Sequence, residues 1–251
     1  TKDDWDKVRK LRVLDFLDNS LSSGKIKHVG FSSHTEIDTF VDILDAYPKW
    51  EVVLTQMNYL DEYYQTGVMG LDELKRLNIG SMIMEPLRGG RLVQNIPPEV
   101  QKLWDSAEVK RTPVEWALEY LWNRDDVDCV LSGMNSLEQV RQNIQIASDV
   151  KEISEHDHDV IREVARTYKT LTGNDCTCCG YCMPCPEDVD IINCFKEYNI
   201  GKMLNNPKGS ALQYFTLIDD DCRADSCINC GECEFVCPQM LDIPQELEKV
   251  D

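Results

Sequence analysis

Hydrophobic positions along the first 150 residues alternate between a helical period and short apolar runs. Lys2, Asp3 and Asp4 open the chain with charge. Trp5, Val8, Leu11, Leu14, Phe16, Leu17 and Leu21 follow at spacings that predict one helix, with Gly24 as its stop. Residues 26–31 form a compact apolar run that predicts a strand, so His28 is expected to be packed. A helix is predicted over 35–46, ending ahead of Pro48. The texture then repeats. Strands are predicted at 52–57, 81–84 and 127–132, and helices at 70–77, 113–122 and 136–147. A long loop separates the third strand from its helix.

Four strand–helix units of this kind predict a parallel sheet with right-handed crossovers. Four units do not close an eight-stranded barrel. The chain is then either an open sheet or the second half of a barrel. Polar residues and glycines gather at the C-terminal strand ends, where parallel α/β proteins bind ligands. Those ends carry Ser32, Ser33 and His34; Gln56 and Asn58; Pro86, Leu87, Arg88, Gly89 and Gly90; and Ser132, Gly133, Met134 and Asn135. Ser136 with Gln139 reads as a capping box. Its helix N-terminus offers amides suited to a cofactor phosphate.

The last third changes character. One run reads Cys176, Cys179, Cys182, Cys185-Pro186; the other reads Cys227, Cys230, Cys233, Cys237-Pro238. The second has the C-x2-C-x2-C-x3-C-P spacing that wraps a [4Fe–4S] cube, in which the fourth cysteine serves the other cluster. The first run is one residue shorter before its last cysteine. Paired CxxC motifs also suit zinc, and a cysteine-rich chain can be a disulfide scaffold. Zinc rarely needs a third cysteine in register with a trailing Cys-Pro. No apolar leader and no run of about 18 apolar residues supports a secreted or membrane chain. Cys178 is out of register and reads as a spare, Cys129 as a core side chain, and Cys194 and Cys222 as packing residues.

Net charge of −19 over 251 residues argues against a nucleic-acid surface. An acidic, free-thiol chain fits the cytoplasm. An acidic field around anionic clusters would favour low reduction potentials.

GKIKHVGFSSH (24–34), TQMNYLDEYYQ (55–65), MEPLRGG (84–90), PVEWAL (113–118), VLSGMNSLEQVRQN (130–143), CGYCMPCP (179–186) and CINCGECEFVCPQ (227–239) together resemble the aldo/keto reductase family, in its branch with a C-terminal ferredoxin-like domain. The resemblance implies the C-terminal half of a (β/α)8 barrel over residues 1–153, a connecting helix over 154–172, and a small, mainly helical, two-cluster ferredoxin-like domain over 173–251. It implies a nicotinamide cofactor, NAD(P), at the rim. Ser32 and Gln56 would touch its carboxamide, and Pro86, Leu87 and Gly89 would line the pyrophosphate. Ser132, Gly133, Met134, Gln139 and Asn143 would hold the adenosine end. Cys176, Cys179, Cys182 and Cys237 would ligate one [4Fe–4S] cluster; Cys227, Cys230, Cys233 and Cys185 the other.

Three departures stand out. Met84 takes the place of the tyrosine that stacks on the nicotinamide in many members. No Lys or Arg lies between Ser132 and Val140 to meet a 2′-phosphate. The family's Asp-Tyr-Lys-His tetrad belongs to the first four βα units, and no residue here is assigned to it, so the chain is expected to be a fragment of a longer enzyme.

The functional expectation is an iron–sulfur oxidoreductase acting on a small-molecule substrate by nicotinamide-dependent carbonyl reduction or a related redox reaction. Hydride moves two electrons and a cluster one, so direct coupling calls for a converter such as a flavin, for which no motif is seen. A redox partner protein is the other outlet. The alternative is an electron-carrier or interaction subunit without its own active site.

Overall fold

The computed structural model describes residues 2–250. Residues 1 and 251, the outer limits of the expected domains, lie outside the described residues. Elements follow in the order α1 (Lys2–Lys10), α2 (Val13–Ser22), β1 (Gly30–Ser33), α3 (Ile37–Ala46), β2 (Val52–Gln56), α4 (Gly67–Leu77), β3 (Gly80–Met84), α5 (Pro98–Ser106), α6 (Pro113–Trp122), β4 (Cys129–Val130), α7 (Leu137–Ser148), α8 (Glu155–Thr170), α9 (Ile191–Met203), α10 (Pro207–Leu217) and α11 (Ile243–Leu247). The chain divides into two compact units. One joins Thr1–Val93 with Ala107–Ile161; the other joins Gln94–Ser106 with Arg162–Asp251.

The first unit is an α/β fold. Its four strands are parallel and lie in sequential order, β1-β2-β3-β4. The register pairs Ser33 with Thr55 and Gln56 with Met84, so the C-terminal ends of adjacent strands stand level. Phe40, Ile43 and Leu44 form the buried stripe of α3, and Leu71 and Leu74 that of α4. Asn78 closes α4 in the left-handed region at φ 56, a conformation asparagine tolerates. Gly30 is needed for close approach: a Cβ there would come within 2.3 Å of the Val52 carbonyl oxygen.

Four expectations are corrected. The opening helix is two helices, because Arg12 takes a left-handed φ of 56 and breaks the ladder. β1 begins at Gly30, so His28 is exposed ahead of the strand, with Nδ1 2.6 Å from Glu51 Oε2. β4 keeps only Cys129–Val130, and Cys129 is exposed on this edge strand instead of lying in a core. The loop after β3 contains α5, and α4 begins three residues before its first expected residue, at Gly67.

The N-terminus of α6 carries a full capping box that hydrophobic periodicity does not announce. Thr112 Oγ1 accepts from the Glu115 N–H, and the Glu115 carboxylate accepts from the Thr112 N–H at 2.6 Å. Burial alone would raise the Glu115 pKa, but the Thr112 N–H and hydroxyl and the nearby Lys151 together outweigh it and hold it below its usual 4.5. A depressed folded pKa means stability that is present above the unfolded value and lost as pH falls through the folded one. Thr112→Ala is expected to cost about 1 kcal/mol in chemical denaturation at neutral pH. The Glu115→Gln deficit should shrink below pH 4.5; a deficit that stays constant through that range would refute the assignment.

The second unit packs α9, α10 and α11 over a small core of Val189, Ile191, Phe195, Tyr214, Ile218 and Leu247. Asp190, Asn206 and Asp242 cap the three helices by accepting from Asn193, Gly209 and Gln245 N–H groups. Arg223 donates to the carbonyls of Ile218 and Phe215 at the end of α10, at 3.2 and 3.0 Å. No helix among the described residues is long and apolar enough to cross a membrane.

Candidate functional site

The first candidate is the rim where the four strands end. Ser32 is exposed on β1, while Ser33 turns inward, its hydroxyl 2.8 Å from that of Thr35. At the end of β2 the chain builds a buried polar network. Asn58 is fully buried; its Oδ1 accepts from the N–H groups of Leu60 and Asp61, both at 3.0 Å. Its Nδ2 donates to Asp61 Oδ2 at 2.9 Å and to the Glu85 carbonyl at 3.1 Å. Gln56 Nε2 donates to the same Asp61 oxygen at 3.2 Å, and Arg88 Nε lies 3.3 Å from it. One carboxylate thus ties the end of β2 to the loop after β3. Sequence reasoning placed Gln56 here and missed Asp61 and Arg88 as its partners. The available signal was three polar residues, Gln56, Asn58 and Asp61, inside an otherwise apolar stretch.

The loop after β3 is a series of tight turns. Glu85, Arg88, Gly89 and Gly90 all take positive φ, at 58, 50, 63 and 84. For the two non-glycines this is sparsely populated space, which clusters where a loop must present backbone to a ligand. Pro86 is buried, Leu87 half-buried and Gly89 exposed. The N–H groups of Gly90 and Leu92 both close on the Leu87 carbonyl, at 3.0 and 3.2 Å. Arg88 keeps one guanidinium nitrogen, Nη1, buried and without a hydrogen-bond partner among the described residues. Met84 is half-buried, level with Gln56.

The loop after β4 is open. Gly133 and Met134 are exposed, whereas Asn143 is buried on α7 and donates to Ser132 Oγ at 3.0 Å. Ser136 Oγ accepts from the Gln139 N–H at 3.2 Å. The reciprocal bond differs from the expected capping box: Gln139 Oε1 accepts from Asn135 N–H at 2.9 Å, one residue earlier. Ser132, Gln139 and Asn143 therefore shape the loop that displays Gly133 and Met134. All ten expected cofactor residues stand on four adjacent strand ends, on the loops that follow them, or on the first turns of α7.

The second candidate lies in the cysteine-rich unit. A cavity of about 200 Å3 is lined by Cys227, Cys230, Cys233, Cys185 and Cys182, with Val189 and Ile191 in its wall. A smaller one, about 20 Å3, is lined by Cys176, Cys178, Cys179, Cys182 and Cys237, with Phe195 behind. Each includes three in-register cysteines of one run and the last cysteine of the other, with Cys182 lining both and Cys178 the smaller. Burial, then the neighbouring Cys227, Cys230 and Cys182, pushes the Cys233 thiol up to about 11. Burial, then Cys176, Cys179 and Cys237, raises Cys182 as well. None of the twelve cysteines is in a disulfide, so no disulfide framework forms. No group of three or more His, Cys, Asp or Glu side chains among the described residues is spaced to hold a single metal ion.

The two runs are structural repeats. Cys178 and Asn229 are left-handed at matching positions, φ 57 and 56, as are Gly180 and Gly231, at 82 and 76. Asp188 and Met240, three residues beyond each Cys-Pro cysteine, are left-handed too, at 56 and 54. Two residues later come Asp190 and Asp242, which cap α9 and α11. Cys178 thus occupies the left-handed slot filled by Asn229 in the other run, and it also lines the smaller cavity. The one-residue difference falls between Cys182 and Cys185.

The description of the aldo/keto reductase family matches residues 2–166. Two solved structures are similar, the holo and apo forms of the aldo-keto reductase AKR11C1 from Bacillus halodurans. Each is 20% identical with a TM-score of 0.49, covering 59% of this chain and 53% and 54% of the other. The chain thus spans about half the length of those relatives. No curated protein gives a match. With well over half of its residues inside the family match, the chain belongs to the aldo/keto reductase family.

Proposed function

We propose that this chain serves an iron–sulfur oxidoreductase of the aldo/keto reductase type: nicotinamide-dependent carbonyl reduction, or a related redox reaction on a small molecule, coupled to two [4Fe–4S] clusters. The observation that carries the iron–sulfur part is that three in-register cysteines of each run line one cavity together with the last cysteine of the other run, Cys182 lining both. Cys176, Cys179, Cys182 and Cys237 would hold one cube, and Cys227, Cys230, Cys233 and Cys185 the other. A cube is wider than one ion, so its thiolates stand further apart than the ligands of a lone zinc. Crowded, half-buried thiols resist ionising together, and iron would supply the missing positive charge.

At the rim, Ser32 and Gln56 would meet the nicotinamide, the backbone of Pro86, Leu87 and Gly89 the pyrophosphate, and Ser132, Gly133, Met134, Gln139 and Asn143 the adenosine end. The fit rests on unpaired polar atoms there, the Arg88 Nη1 donor and the exposed Ser32 hydroxyl. Bound, the nicotinamide supplies hydride and the clusters supply single electrons. A flavin or a redox partner protein would convert between them. The proposed organisation is a half barrel over 1–153, a connecting helix over 154–172 and a two-cluster ferredoxin-like domain over 173–251. The proposed setting is a reducing cytoplasm.

Anaerobic purification with iron and sulfide assays tests the reading. About eight of each per chain are expected from two cubes. Zinc at stoichiometric level, or iron for one cluster only, would sink it. Titration with NADH and NADPH, followed by bleaching of the cluster absorbance, then reports whether rim and clusters exchange electrons.

A further inference from the structure

Asp61 is the organising group of the rim. Its side chain is 9% exposed, and three donors converge on its Oδ2: Gln56 Nε2 at 3.2 Å, Asn58 Nδ2 at 2.9 Å and Arg88 Nε at 3.3 Å. An ionised carboxylate accepts hydrogen bonds and never donates them. Whatever faces it must present N–H, so Asp61 settles the orientation of both amides. Asn58 then turns Oδ1 onto the backbone, where it accepts from two N–H groups. Gln56, with Nε2 committed to Asp61, keeps Oε1 as an acceptor for which no partner exists among the described residues. Arg88, engaged through Nε, keeps a buried Nη1 donor without a partner.

The network is thus saturated on the protein side and incomplete on the other. It offers one unpaired acceptor and one unpaired buried donor, both on groups tied to a single carboxylate oxygen. Buried donors are rarely left unpaired. The group that complements such a pair is a primary amide, which donates through its N–H2 and accepts through its carbonyl. We propose that Asp61 is a positioning residue: it locks Gln56 with its carbonyl oxygen presented to the carboxamide of a bound nicotinamide and holds Arg88 as the matching donor. This deepens the nicotinamide reading of the rim and rests on it.

The test compares two dinucleotides, NAD and its analogue in which acetyl replaces the carboxamide. The analogue keeps the carbonyl and lacks the N–H2. Affinities are measured by calorimetry on the wild-type chain, Asp61→Asn, and the exchange Gln56→Glu with Asp61→Asn. In the wild type the carboxamide should bind about tenfold more tightly than the acetyl form, the worth of one hydrogen bond. In Asp61→Asn the Gln56 amide is free to turn, and the preference should fall to within about twofold. In the exchanged pair, the carboxylate introduced at position 56 accepts from the amide introduced at position 61. It still presents an acceptor oxygen to the ligand, so the preference should return. Should Asp61→Asn fail to fold, Gln56→Leu leaves Asp61 with its other two donors and should abolish the preference in the same way. A merely structural Asp61 would weaken both dinucleotides equally and leave their ratio untouched, which overturns the proposal while the nicotinamide reading stands. Failure of the wild type to bind either dinucleotide overturns the nicotinamide reading and this inference together.

Discussion

With two clusters ligated as proposed, replacing Cys237 with alanine is expected to empty the one held by the first cysteine run, although Cys237 belongs to the second run by sequence. Cys237 lines the cavity of Cys176, Cys179 and Cys182, and Cys185 lines the cavity of Cys227, Cys230 and Cys233. Iron should fall from about eight to about four per chain, since a cube with three thiolates is readily lost. The pairing itself is read from double variants. Under crossed ligation Cys176→Ala and Cys237→Ala strike the same cube, so the pair should lose no more iron than either alone. Cys227→Ala with Cys237→Ala strikes both cubes and should leave almost none. Uncrossed ligation reverses these two outcomes, so the comparison is decisive whichever way it falls. Loss of either cube should also loosen the unit. Cys176, Cys182, Cys185, Cys227, Cys233 and Cys237 all pack against its nine-residue buried core, and cluster binding and folding draw on the same free energy.

That three cysteines of one run line one cavity was legible in the sequence because their spacing is a local, covalent constraint: three thiols two residues apart share one loop. The parallel sheet was legible for a similar reason. β2 and β3 are short, mainly apolar runs bounded by polar or glycine residues, and their bounds lie within one residue of those expected. What failed was set by contacts between distant residues or by backbone choice. The break at Arg12 has no glycine or proline to announce it. Cys129 sits in an apolar run but on an edge strand, where its environment depends on what the edge faces. At the rim, the residue types pointed to the right strand ends, yet the network joining Gln56 to Arg88 spans 32 positions and runs through Asp61, which no periodicity marks. Cys178 reads as an out-of-register spare in the sequence, and its left-handed φ, matching that of Asn229, is a backbone feature no spacing announces. Polar networks escape a one-dimensional reading because their members are chosen by geometry across the fold.

Arg111→Met is expected to be the most damaging substitution in the first unit. Arg111, Glu119 and Asp157 form an ion triad with side chains 0%, 1% and 2% exposed. Arg111 Nε donates to Glu119 at 2.6 Å, Nη1 lies 3.1 Å from Asp157, Nη2 donates to the Glu152 carbonyl at 2.7 Å, and the guanidinium stacks 4.5 Å over Trp116. The two carboxylates hold further backbone: Glu119 accepts from Lys151 N–H, and Asp157 from Ser154 N–H at the start of α8. The triad therefore joins α6 to the segment that leads into α8. Methionine would fill much of the volume but leave two buried like charges facing each other without a cation. Breaking a buried pair on one side costs about 3–5 kcal/mol, a large share of the ~5–15 kcal/mol that holds a typical domain. A fall in Tm of roughly 10 °C is expected in calorimetry. Neutralising the acids as well, with Glu119→Gln and Asp157→Asn in the same chain, should recover part of the loss, because the penalty arises from the uncompensated charges and not from the missing packing. Arg111→Met alone shifting Tm by less than about 2 °C would mean that water reaches the triad and screens it, and that α6 and α8 are held together by their apolar contacts instead.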